Sequence, residues 1–274
     1  MRLLLLAFGI GLVALSAAWA GEEPEISAAI RAAVEENPYR TPEQMARDRY
    51  RHPAKTLAFF EVGPKMTIAE PLPGWYTEIL GALLRDRGHY IAINLPPRRR
   101  EGAEGEAPEK GWRERFMERY GTMLGPHARA AYLLSEEGFA PAGSVDRILA
   151  FRAFHGWVYA GVVDRVLAAF YRALKPGGIL GIVQHRENED SPHTPADRRG
   201  YLKQSFVIKT VEAAGFRLAG TSETNANPKD TKDYDIGVWA LPPTLRVDDV
   251  ETRRAHVRIG ESDRMTLKFV KPAD

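Results

Sequence analysis

Apolar positions along the chain fall into two patterns: short aliphatic runs, and longer stretches in which they recur every three or four residues. Residues 66–69, 89–95, 145–151, 179–183, 216–222 and 265–270 form the runs, and each reads as a strand. Between them, residues 75–87, 112–123, 162–174 and 201–214 carry the helical period. Upstream, residues 26–35 are Ala-rich and helical in character, and residues 53–60 form a short helix. Between these two, Thr41 is placed as an N-cap with Pro42 at the first helical position. The helix 162–174 stops at Lys-Pro-Gly-Gly, where Pro176 cannot continue it and Gly177 and Gly178 turn the chain.

Aliphatic strands alternating with amphipathic helices from residue 66 to 222 predict an α/β fold, a mostly parallel sheet covered by helices on both faces. In such sheets ligands sit beyond the carboxyl ends of the strands, near the switch in strand order. The informative positions are then Glu70, Asn94, residues 152–157 and residues 184–186, all expected at or after strand ends.

Composition narrows the function classes. The 274 residues fit one large α/β domain or two small ones, and 44% hydrophobic content suffices for a core. A formal charge of +2 gives no nucleic-acid or anionic-membrane footprint, so no nucleic-acid partner is expected. Residues 96–111 are Pro-, Gly- and charge-rich and read as a solvated loop, because Glu101, Glu104 and Glu106 follow Arg98, Arg99 and Arg100 at once. The chain has no cysteine, which removes disulfides, thiolate metal sites and thiol nucleophiles.

Residues 1–20 have one positive residue, Arg2, then an apolar run and small residues ending Ala18-Trp19-Ala20. This is the pattern of a signal peptide cut after Ala20, implying a periplasmic or secreted protein with no stable membrane anchor after cleavage. The organisation expected is therefore a signal peptide (1–20), an N-terminal helical segment (21–60) and one domain (61–274).

Several stretches together carry a resemblance: LAFFEVGPKMTIAE, GWYTEIL, ILAFRAFHGW, LKPGGILGIVQHR, EAAGFRL, SETNANPKDTKD and GESDRMTLKFVKP. In this order they resemble a group of exported bacterial proteins classed as predicted class I methyltransferases, from about residue 40 to the C-terminus. The resemblance implies a Rossmann-like, seven-stranded sheet with an antiparallel last strand at 265–270, and an insertion at 225–243. It also implies S-adenosyl-L-methionine as cofactor and methyl transfer to a small-molecule or envelope acceptor. The other reading is a methyltransferase-fold protein that binds a ligand or partner without catalysis.

The residues implied to bind the cofactor are Glu70, Gly74, Trp75, Tyr76 and Thr77 after the first strand and Asn94 after the second. Glycines in this loop normally let the backbone approach the cofactor where a Cβ would collide. Against the group's pattern E-L-W-P-G-G-G-W-Y-T-E-I-L, the stretch EPLPGWYTEIL is shorter by two glycines. Asn94 stands where an acidic residue normally accepts hydrogen bonds from both ribose hydroxyls. The catalytic candidates are His155, Arg152 and His185. His155 is a base by its near-neutral pKa, and Arg152 holds an anionic acceptor or fixes a carboxylate. His185, Asp190 and His193 are irregularly spaced, and no metal site is assigned.

Overall fold

The computed structural model describes residues 25–97 and 110–273. The expected signal peptide and Arg98–Arg100 lie outside the described residues. In chain order the first helices are α1 (25–35), α2 (Pro42–Met45), α3 (Asp48–Arg51) and α4 (Pro53–Phe59). They are followed by β1 (Thr67–Pro71), α5 (Thr77–Leu84), β2 (His89–Asn94), α6 (Trp112–Leu124), β3 (Arg129–Tyr132) and β4 (Val145–Phe151). Then come α7 (Phe154–Tyr159), α8 (Val163–Ala173), β5 (Leu174–Glu187), β6 (Leu202–Lys203) and α9 (Gln204–Ala213). The chain closes with β7 (Arg217–Ser222), α10 (Val250–Ile259) and β8 (Arg264–Val270).

The eight-stranded sheet runs β3-β2-β1-β4-β5-β8-β7, with the two-residue β6 attached to β5 off this path. Strands β3, β2, β1, β4 and β5 pair in parallel, and β8 is antiparallel to both its neighbours. Seven strands in one path with a reversed late strand match the expected architecture. The order turns back between β1 and β4, so the carboxyl ends of these two strands are where a ligand crevice belongs.

Side chains alternate across the sheet with a period of two, which divides the core. Ala69, Ile91, Ile93, Ile148, Ala150 and Ile182 face α7, α8 and α9, while Ile68, Tyr90, Ala92, Leu149 and Val183 face α1, α4, α5 and α6. The described part of the N-terminal segment therefore shares a core with the sheet. Phe60 lies over β5 at Gly181, where a Cβ would come within 2.8 Å of the ring. Burying such a ring contributes about 1.5–3 kcal/mol.

Three features differ from the sequence expectation. Strand β5 is 14 residues long, against an expected run of 179–183, because β8 keeps pairing with it as far as His185↔Arg264. Gln184, His185 and Arg186 are thus strand residues and do not follow the strand. Helix α5 begins at Thr77, so Trp75 and Tyr76 belong to the loop that precedes it. Strand β3 and helix α10 were not expected: β3 has no fully buried position, and α10 buries none of its residues, so neither carries an apolar pattern.

Candidate functional site

At the end of β1 the chain folds around one carboxylate. Glu70 is buried, and its Oε2 accepts from the Thr77 hydroxyl at 2.9 Å and the Tyr90 hydroxyl at 2.5 Å. Burial pushes its pKa up to about 7, against hydrogen bonds from Tyr90, Thr77 and the Gly74 amide that favour the charged form. Glu70 and Thr77, both expected to bind the cofactor, hold each other at the start of α5.

Trp75 and Tyr76 turn toward the N-terminal helices. The Trp75 indole donates to the Gln44 carbonyl at 3.2 Å, and the Arg40 and Arg51 guanidiniums lie over its ring at 4.9 and 4.8 Å. Tyr76 donates to the Arg51 carbonyl at 3.0 Å and stacks on Phe151, the last residue of β4, at 3.7 Å. These two aromatics fasten α2 and α3 over the end of the sheet.

What faces outward from this loop is its crest. Leu72 and Gly74 are exposed, and a Cβ on Gly74 would meet only the Leu72 carbonyl oxygen, at 3.8 Å. Leu72 has a φ of 53°, the left-handed conformation that suits glycine. Asn94, half-buried at the end of β2, accepts from its neighbour Leu95 through Oδ1 at 2.8 Å. The backbone at Gly74 is thus open to solvent, with Glu70 and Thr77 buried behind it.

The ends of β4 and β5 bring together the three catalytic candidates. The Gln184 amide donates through Nε2 to the Gly200 carbonyl at 2.8 Å, so its Oε1 faces His155, 3.2 Å from Nδ1. That orientation makes His155 Nδ1 the donor and leaves Nε2 with its lone pair. Burial holds the His155 pKa below its ordinary 6.5, with the Gln184 bond opposing and Arg152 adding to the shift. The imidazole is neutral at pH 7. Its ring lies 5.5 Å from Tyr159, 5.6 Å from Trp239 and 5.7 Å from His185.

His185 is fully enclosed. Its Nδ1 sits 2.5 Å from the Ser262 hydroxyl, and burial together with His155, Arg152 and Arg264 holds its pKa well down. Arg152, φ 57°, follows the last residue of β4. Burial and the nearby Arg264 push its pKa down to about 10.

Arg47, Arg51, Glu261 and Arg264, which the sequence did not single out, complete this end. Glu261 accepts from Arg47 Nε at 2.7 Å and from Arg51 Nε at 2.9 Å, and pairs with Arg264 Nη1 at 3.2 Å. The stretch Asn225-Ala226-Asn227-Pro228-Lys229-Asp230 clamps the same region. Asn225 donates to Thr56 and Thr266, each at 3.0 Å, and Asn227 donates to the Glu261 carbonyl at 2.7 Å. Asp230 accepts from the Tyr201 hydroxyl at 3.0 Å and the Asp263 amide at 2.8 Å. The signal for this cluster was the GESDR stretch ahead of β8, whose meaning depends on the β5–β8 register.

His193 pairs with Asp197 at 3.6 Å, away from His185. Among the described residues no group of three His, Asp or Glu is placed to hold a metal. No described helix is long and apolar enough to cross a membrane.

Comparison with known proteins adds the fold. No family model matches the chain, and no curated protein matches it. Solved structures do. An S-adenosylmethionine-dependent methyltransferase from Aquifex aeolicus superposes with a TM-score of 0.53 at 16% identity, covering 89% of this chain and 98% of that one. The [4+2]-cyclase SpnF gives 0.54 at 16%, covering 93% and 96%. Geranyl diphosphate C-methyltransferase from Streptomyces coelicolor, in complex with Mg2+, geranyl diphosphate and S-adenosyl-L-homocysteine, gives 0.51 at 13%, covering 88% of each chain. At such identities the likeness is one of fold. The chain has the Rossmann-like fold of class I S-adenosylmethionine-dependent methyltransferases.

Proposed function

We propose that this protein is an S-adenosylmethionine-dependent methyltransferase acting on a small-molecule or envelope acceptor after export to the periplasm or beyond. The observation that carries the reading is the meeting of Arg152, His155 and His185 at the ends of β4 and β5, beside the switch in strand order. When bound, the cofactor supplies a methyl group already activated on a sulfonium.

The chain's own residues then have little bond-making to do and much positioning. The crest at Leu72 and Gly74, with Asn94 beside it, holds the cofactor, and Glu70, Thr77, Trp75 and Tyr76 keep that crest in place. His155, oriented by Gln184, takes the acceptor's proton at Nε2 (about 10²–10⁴-fold in rate for such a base). Arg152 keeps His155 neutral and ready to accept, and His185 packs against it to limit its tilt.

Calorimetry of the protein beginning at Gly21 with S-adenosylmethionine and S-adenosylhomocysteine tests the reading. Binding of both is expected, and no heat at millimolar cofactor would sink it. Export is checked by whether the native protein begins at Gly21. A second reading, a methyltransferase-fold module that binds without transferring methyl, is favoured by the loop after β1 being shorter by two glycines than the family pattern. It predicts no S-adenosylhomocysteine formation with any acceptor.

A further inference from the structure

Around Glu261, cationic side chains outnumber the carboxylates that face them. Arg47, Arg51 and Arg264 all bind this one carboxylate, and Arg51 and Glu261 have only 2% and 4% of their side-chain surface exposed. Arg152 adds a fourth guanidinium: its field acts on both Arg51 and His185, and while its backbone amide donates to the Val183 carbonyl, its side chain makes no hydrogen bond or ion pair among the described residues. The Nη2 atoms of Arg47 and Arg51 are buried and have no hydrogen-bond partner.

Neighbouring groups do not supply the missing negative charge. Asp48 is taken by Arg40, and Asp263 by Arg186 and Lys232. Burial keeps the Tyr76 phenol protonated and pushes its pKa up to about 12. His155 and His185 are held neutral. The Trp75 face beneath Arg51 offsets part of one buried charge, but it accepts no in-plane hydrogen bond. Buried guanidiniums without acceptors are costly, and an oxyanion that takes two N–H groups from an Arg fork removes that cost.

We propose that Arg51 and Arg152, backed by Arg47 and Arg264, form an oxyanion-binding subsite that takes a carboxylate or phosphate group. Arg152 is half-buried, and its field reaches His155. Identifying the bound molecule as the methyl acceptor rests on the methyltransferase reading; the anion site itself does not. An acceptor anchored there presents its nucleophile toward His155.

The test is a titration of the protein beginning at Gly21 with inorganic phosphate and, separately, with acetate, at ionic strength matched with chloride. Thermal shift and calorimetry are the readouts. Saturable binding of at least one probe is expected, tenfold or more weaker in Arg152→Gln and partly restored in Arg152→Lys. The tighter probe tells a phosphorylated acceptor from a carboxylate. Should Arg152→Gln not fold, Arg47→Gln, at a partly exposed position, takes its place with the same expected loss. Equal affinity in wild type and variant, or no saturable binding of either probe, overturns the site. If phosphate binds but S-adenosylmethionine does not, the anion site stands and its assignment to a methyl acceptor falls.

Discussion

At the end of β1 a buried carboxylate, Glu70, is matched by the hydroxyls of Thr77 and Tyr90. At the ends of β4 and β5, three buried or half-buried arginines bind a single carboxylate, and the side chain of a fourth has no partner among the described residues. Both regions lie on the same edge of one sheet, and both put ionisable groups out of reach of water. The first spends its polar groups on itself and presents a backbone crest. The second leaves buried donors unsatisfied, which calls for an explanation such as a bound ion or water. A cofactor that needs shape and an acceptor that needs charge would be served by these two regions in turn.

The largest expected effect breaks the second region. Glu261→Ala removes the sole carboxylate facing three arginines, and loss of one partner from such a buried network costs about 3–5 kcal/mol. Chemical denaturation would measure it, and phosphate in the buffer should recover part of the loss. A variant within 1 kcal/mol of wild type would mean that the arginines do not depend on Glu261.

A comparable effect belongs to the first region and depends on pH. Glu70 holds its proton more tightly folded, with a pKa of about 7, than unfolded, near 4.5. Its contribution is therefore fully present below about 4.5 and is lost as pH rises through about 7, a change on the order of 3 kcal/mol. Unfolding free energy followed from about pH 4 to about pH 8, a range that spans both pKa values, should show this decline in wild type. Glu70→Gln should abolish it, and persistence of the slope in that variant would place its origin elsewhere.

The smallest effect sharpens the picture of the crest. Leu72 sits at a φ of 53°, where a side chain costs about 1–2 kcal/mol. Leu72→Gly relieves this while adding freedom to the unfolded chain, for a net gain of about 0.5–1 kcal/mol. A lower melting temperature in that variant would show that the leucine side chain stabilises the loop.

The two regions were legible in the sequence to different degrees. Strand and helix periodicity placed β1, β2, β4 and α8 within a few residues, because each buries an aliphatic face. Glu70, Asn94, Arg152 and His155 could be found because they stand at strand ends. The roles of Trp75 and Tyr76 could not, since their partners Gln44, Arg51 and Phe151 are brought to them only by tertiary packing. The arginine cluster was hidden for the same reason. Arg51, Glu261 and Arg264 come from α3, the β8 approach and β8 itself, and the β5–β8 register that sets Arg264 against His185 has no local signature.

The division of labour between the two strand ends is tested most directly by titrating S-adenosylmethionine into wild type, His155→Ala and Gly74→Val, after each is shown to be folded. Gly74 has open space where a side chain would go, so valine is tolerated by the free protein but occupies the surface on which the cofactor lies. Wild type and His155→Ala should bind with the same affinity, while Gly74→Val should bind at least tenfold more weakly. Unchanged binding by Gly74→Val, or its loss in His155→Ala, would contradict the assignment of cofactor to the β1 crest and acceptor to the ends of β4 and β5.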